Sequence, residues 1–201
     1  PETEVYFKKY IGADEYINGN FRYTIWIDQD DYTKIDKIQE FHQLFENVRQ
    51  ERLNSKAAGT RETASTPWKF VQRGEWDDMF SKGKIEGKFQ LLVPTVTSED
   101  RDYIPMGFVG DDTIISNRCY IVYDTPIWLL GCLVSKMHIK WFQAIGGKLE
   151  TRYSYSAGLF YNTFPIPELS DSRKNMLEEA VFEMLDVREE EGGTLAELYG
   201  G

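Results

Sequence analysis

The run "TPIWLLGCLVSKMHIKW", Thr125 to Trp141, is the longest apolar stretch in the chain and dictates what must surround it. It falls short of the ~20 apolar residues needed to cross a bilayer, and Lys136, His138 and Lys140 interrupt it. A helix that is apolar around most of its circumference has to be covered by other elements of a folded core. The sequence predicts such a helix over 126–145, with Thr125 as N-cap, Pro126 in the first turn and Gly146-Gly147 as the stop. The 201 residues suffice to build that core, and the 14% aromatic content provides its bulk. Cys119 and Cys132 have neither metal-ligand nor redox spacing and read as core thiols. The N-terminus lacks a signal-peptide pattern, and the start at Pro1 reads as a fragment of a longer polypeptide.

The remaining elements follow from periodicity. Asn18-Gly19-Asn20 signals a turn, and Phe21 to Ile27 reads as a strand. Ile35, Ile38, Phe41, Phe45 and Val48 recur at spacings of three and four, which predicts one long helix from about Asp31 to Asn54. "KFQLLVPTV" and "NRCYIVYD" read as short strands, and Lys148 to Ser154 as a further strand after the glycine pair. Pro165 and Pro167 break the chain, with Asn162 and Phe164 as packing and turn residues. Ser170 then caps a helix whose Met176, Leu177, Ala180, Val181, Met184 and Leu185 form one stripe. The fold class is therefore α+β: mixed strands, one long helix after the N-terminal strands, one largely buried helix, and a C-terminal helical appendage. The expected division is a domain over 1–167 and a helical segment over 168–201.

A net charge of -10 argues at first against nucleic acid, whose counterions must be displaced by protein cations. The distribution qualifies this. From Glu168 onward ten acids stand against three bases, a balance of -7 that leaves only -3 for residues 1–167. Lys136, Lys140, Lys148 and Arg152 cluster around a single acid, Glu150, while Arg49, Arg52, Lys56 and Arg61 form a second basic group. Residues two apart on a strand share a face, so Glu150 and Arg152 would stand side by side. They form an exposed ion pair of small value, or they offer an acceptor and a fork of donors to one planar target. Glutamate accepting from cytosine N4 beside arginine donating to guanine O6 and N7 would read one C·G pair.

Catalytic constellations are missing from the sequence. His42 and His138 are the only histidines, and both read as structural. There is no nucleophile elbow, no phosphate-cradling glycine loop and no paired histidines. The acidic "SEDRD" reads as a solvated loop. The chain itself is expected to catalyse nothing and to hold neither metal nor cofactor.

Four separated stretches carry a more specific signal: "YIGADEYINGNFRYTIWI", "VPTVTSEDRDYIPMGFV", "LVSKMHIKWFQAIGGKLETRYSYSAGLFYNTFPIP" and "TLAELY". Together they resemble the target-recognition domain and following segment of MmeI-like restriction-modification enzymes. The resemblance implies a parent polypeptide with an endonuclease, a methyltransferase that uses S-adenosylmethionine on adenine N6, and a DNA-reading domain. Mg would serve its nuclease. The implied partners are double-stranded DNA and the methyltransferase and endonuclease domains of the same chain. A prokaryotic cytoplasm is the implied location, with no membrane involved. In the family the positions matching Glu150 and Arg152 read one outer base pair, Glu/Arg going with C and Lys/Asp with G. Thr151 and Ser154 match neighbouring positions implicated in DNA contact, and many relatives carry arginine at the latter. Glu99 and Arg118 fall in segments resembling further base-reading parts. Lys136, Lys140, Lys148, Arg49, Arg52 and Lys56 are the expected phosphate contacts. The competing reading is an acidic protein-docking domain of the same or another multidomain enzyme.

Overall fold

The computed structural model describes residues 4–71, 89–98, 101–110, 112–145, 148–149 and 152–200, the backbone alone at 148–149, 152–154 and 159–160. The chain divides into two compact units, Pro1–Lys9 with Tyr23–Asp77 and Tyr10–Arg22 with Asp78–Gly201.

In the first unit the tail of strand β2 (Arg22–Ile25) leads to helices α2 (Gln29–Ile35), α3 (Gln39–Leu53) and α4 (Ala58–Glu62). Strand β1 (Phe7–Ile11) and helix α1 (Ala13–Ile17) precede them in the chain. The long helix predicted from Asp31 to Asn54 is two helices. Asp28 caps the first by accepting from the Asp31 N–H at 2.8 Å, and Ile38, extended at φ -86°, ψ 123°, separates it from the second. Ile38 keeps the helical spacing in sequence yet is 38% exposed, because the break turns it out of the core. That core is Ile27, Ile35 and Phe45, rimmed by Tyr6, Ile25, Tyr32, Phe41 and Trp68. Tyr32 stacks on Trp68 and meets Phe45 edge-on, so one ring ties both helices to the loop after α4.

The second unit is built on strands β3 (Phe89–Pro94), β5 (Gly107–Gly110) and β7 (Cys119–Tyr123), with β3 central and antiparallel to both neighbours. Strand β6 (Thr113–Ile115) lies between β5 and β7 in sequence. The buried apolar run does form helix, again in two pieces: α5 (Ile127–Leu133) and α6 (Lys136–Ile145). Pro126, not Thr125, occupies the N-cap, and the Thr125 hydroxyl donates to the Val122 carbonyl instead. The interruption has a chemical cause. Ser135 Oγ accepts from the His138 N–H at 3.2 Å and so starts a new helix, while His138 Nδ1 donates to the orphan Leu133 carbonyl at 2.6 Å. Leu129, Leu130 and Leu133 from α5 and Ile139 and Phe142 from α6 meet Leu91 and Val93 of β3 in the main core. Burying one such leucine contributes roughly 1.5–3 kcal/mol.

Helix α7 (Asp171–Glu191) crosses α5 at Gly131, where an added Cβ would stand 3.0 Å from Val181 Cγ2. Glycine there permits the close approach that buries Val181 to 2%. Of the predicted stripe, Leu177, Val181, Met184 and Leu185 face inward, while Met176 is 65% exposed and Ala180 is exposed too. Ser170 occupies the N-cap position, as expected, but its hydroxyl makes no capping hydrogen bond. Cys119 is buried, which pushes its thiol up to about 12, and Cys132 is half-buried; both are free. Among the described residues no helix is long and apolar enough to cross a membrane.

Candidate nucleic-acid interface

Beyond Pro94 the central strand continues through Thr95 into a second small sheet. There β4 (Val96–Ser98) pairs antiparallel with β9 (Arg152–Ser154), and β9 with β8 (Lys148–Leu149). The register sets Ser98 opposite Arg152, Thr97 opposite Tyr153 and Val96 opposite Ser154. On the other side Leu149 faces Arg152 and Lys148 faces Tyr153. This corrects the expectation of one strand over 148–154: the chain reverses between Leu149 and Arg152, so two-residue spacing there does not imply a shared face.

The topology unites what the sequence kept apart. Ser98 in "SEDRDY" and Leu149 and Arg152 in "KLETRYS" lie side by side at the same end of the three strands. The third segment joins at the opposite end. Thr95 donates to the Arg118 carbonyl through its N–H at 3.2 Å and its hydroxyl at 2.6 Å. In turn the Thr95 carbonyl accepts from the Tyr155 N–H at 2.7 Å. No pattern in the sequence singles out Thr95, whose role exists only because β3 runs on into β4.

Tyr155 fastens the hairpin to the core. It is 2% exposed, stacks on Phe142 at 5.6 Å and places its hydroxyl 3.3 Å from His138 Nε2. Phe164 closes the other side of the imidazole, its ring 4.6 Å away. With Nδ1 donating to Leu133, Nε2 is left as the acceptor for the tyrosine hydroxyl, which is the neutral tautomer. Burial holds the His138 pKa below its ordinary value, the Leu133 carbonyl working in the opposite sense. Burial likewise raises the Tyr155 phenol.

The candidate contact residues are placed as follows. Glu99, Glu150 and Thr151 lie outside the described residues, and Arg152 and Ser154 are described by their backbone in β9. Arg118 is exposed beside Thr95. Lys136 and Lys140, one helical turn apart, are exposed on α6, with Lys140 Nζ donating to Gln143 Oε1 at 2.9 Å. Lys148 lies in β8. Arg49, Arg52 and Lys56 belong to the first unit. There Arg49 pairs with Glu46 at 3.1 Å. Arg52 donates to the carbonyls of Thr63, Thr66 and Lys69 at 2.8, 2.8 and 2.9 Å. A phosphate at Arg52 would have to compete with three backbone acceptors. Lys56 is exposed.

A three-stranded antiparallel sheet backed by helices, whose central strand runs on into a second small sheet, defines an α+β domain. The chain belongs to the family of the MmeI target recognition domain, whose model matches residues 1–168. It is 50% identical over 202 residues to DNA methyltransferase A of Bacillus subtilis (strain 168), a match covering 99% of this chain and 22% of that protein. The type IIL restriction-modification enzyme MmeI, solved in complex with DNA, superposes with a TM-score of 0.84 at 36% identity, over 99% of this chain and 25% of that one. The chain thus spans about a quarter or less of the length of these relatives.

Proposed function

We propose that this chain reads the base sequence of duplex DNA for a larger polypeptide that methylates adenine N6 and cleaves DNA. The convergence of "SEDRDY" and "KLETRYS" at one end of the β4–β9–β8 sheet, in a chain of this family, carries the reading. A protein that reads sequence must bring several side chains to neighbouring base edges, while phosphate contacts fix its register. One sheet end supporting two distant segments meets the first demand, and the exposed Lys136 and Lys140 suit the second. Within this frame Glu150 accepts from cytosine N4, and Arg152 donates to O6 and N7 of the paired guanine. Thr151, Ser154, Glu99 and Arg118 are the candidates for adjoining positions. S-adenosylmethionine, and Mg for cleavage, are assigned to other parts of the polypeptide. Among the described residues no group of three or more His, Cys, Asp or Glu is placed to hold a metal ion.

Exchanging Glu150→Lys together with Arg152→Asp in the full-length protein is expected to convert a C·G requirement into G·C, measured by mapping methylated sites across a genome. An unchanged recognition sequence would defeat the assignment.

A further inference from the structure

The motif "TLAELY" near the end of the chain is not among the candidate DNA contacts, yet it forms a capped helix. Thr194 and Glu197 make a reciprocal capping box, Glu197 Oε2 accepting from the Thr194 N–H at 2.7 Å and Thr194 Oγ1 from the Glu197 N–H at 3.2 Å. These bonds hold the Glu197 carboxyl below its usual range. The box starts helix α8 (Leu195–Tyr199). Arg188 of α7 fixes the end of that helix: its Nε donates to the Tyr199 hydroxyl at 2.8 Å, and its guanidinium lies 4.9 Å over the same ring.

Held in this way, α8 meets the segment that follows β4. Tyr103 packs edge-on against Tyr199, with ring centroids 6.2 Å apart and planes at 70°. Arg101 Nε donates to the Gly200 carbonyl at 2.9 Å, and its Nη1 comes within 3.5 Å of Thr97 Oγ1 in β4. Thr97 is 4% exposed, so the guanidinium bridges a buried position of the small sheet and the end of α8. These contacts lie on either side of the acidic residues of "SEDRDY".

We infer that α8 is a brace for this segment, with Arg101, Tyr103 and Tyr199 acting as positioning residues for base reading and not as groups that touch DNA. The inference rests on the proposed function, since a brace matters to specificity only if the segment reads bases. It gives the C-terminal helices work in recognition without bringing their acidic surface to the phosphates. The guanidinium of Arg101 in a "SEDRDY" segment invites assignment as a DNA contact, but its hydrogen bonds go to Gly200 and Thr97 of the chain itself.

The test uses the full-length protein and compares methylation kcat/KM on the cognate duplex with that on duplexes carrying one substituted base pair each. Tyr199→Ala and Arg101→Gln are expected to lose about tenfold discrimination at a shared subset of positions, out of the roughly 5–150-fold a mismatched pair usually costs. Tyr199→Phe, which keeps the ring, should retain most of it. The salt dependence of non-specific binding should not change in Arg101→Gln, whereas a lost phosphate contact would lower the slope by about 0.9. Amide exchange in 101–103 should quicken in Tyr199→Ala and not in the middle of α7. Should Tyr199→Ala fold poorly, Arg101→Gln, which leaves both helices intact, decides. Wild-type discrimination in folded Tyr199→Ala, or a lowered salt slope in Arg101→Gln, overturns the inference. Faster exchange with undiminished discrimination overturns it too and leaves DNA reading standing. A wild-type protein without base preference overturns both.

Discussion

In the α3–α4 segment the arginines bind the protein's own backbone and side chains, whereas on α6 the lysines point to solvent. Arg52 spans three carbonyls, Arg61 donates to those of Ser55 and Lys56, and Arg49 pairs with Glu46. Among the described residues Lys136 and Lys140 make no comparable tie, Lys140 donating only to the side chain of its neighbour Gln143. Both stretches look equally basic in the sequence, and the difference lies in the chemistry of the cations. Guanidinium has five donors in a planar fork, well suited to the unpaired carbonyls where helices end and loops turn. Ammonium on a flexible stem is better left hydrated until a phosphate arrives. In this chain the exposed lysines of α6 are therefore freer to meet a phosphate than the arginines of α3 and α4, which already hold partners.

The comparison breaks first at Arg52. Arg52→Ala should destabilise the first unit by about 2 kcal/mol, three partly solvated bonds to one charged group being worth somewhat less than their separate sum. Arg52→Lys should recover little, and urea midpoints measure both. If the two instead weaken DNA binding at full stability, the arginines are contacts after all. Next comes the lysine face. Lys136→Ala with Lys140→Ala should lower the slope of log affinity against log salt by up to about 2 for a non-specific duplex. Stability should stay within about 0.5 kcal/mol of the wild type. The smallest effect concerns the inner side of the same helix. His138 is neutral in the fold with its pKa held below the ordinary 6.5, so the unfolded chain takes the proton first as pH falls. Its contribution to stability is complete above about pH 6.5 and declines as pH drops toward the depressed value. In His138→Gln that part of the acid sensitivity should vanish, seen as a smaller shift in urea midpoint between pH 7.5 and 5.5.

Much of the architecture is legible in local pattern. The apolar run at 125–141 requires a buried helix, the Asn-Gly-Asn turn precedes β2, and Ser170 opens α7. What escapes local reading is how chain continuity is broken. Ile38 and Ser135 interrupt two helices whose apolar spacing runs straight through; Ile38 takes an extended backbone, and at Ser135 a side-chain cap on the His138 N–H restarts the helix. The hairpin at 148–154 escapes for a related reason: "LETR" carries no Asn-Gly or Asp-Gly signal of a tight reversal. The residue types proposed for base reading are visible in the sequence, but the contacts around them are not. Thr95, Tyr155 and Arg101 act through partners 23, 17 and 99 positions away, beyond any periodicity.

The ladder joining β4 to β9 sets Ser98 opposite Arg152 through main-chain pairing. Such pairing is indifferent to which side chains the two segments carry beyond the sheet. Under the proposed function, substitutions at Glu99, Glu150 or Thr151, outside the paired residues, leave that ladder in place and change which bases are read. On that reading, a lineage under pressure to change the bases it reads would find here a place where mutation is cheap and its consequences immediate.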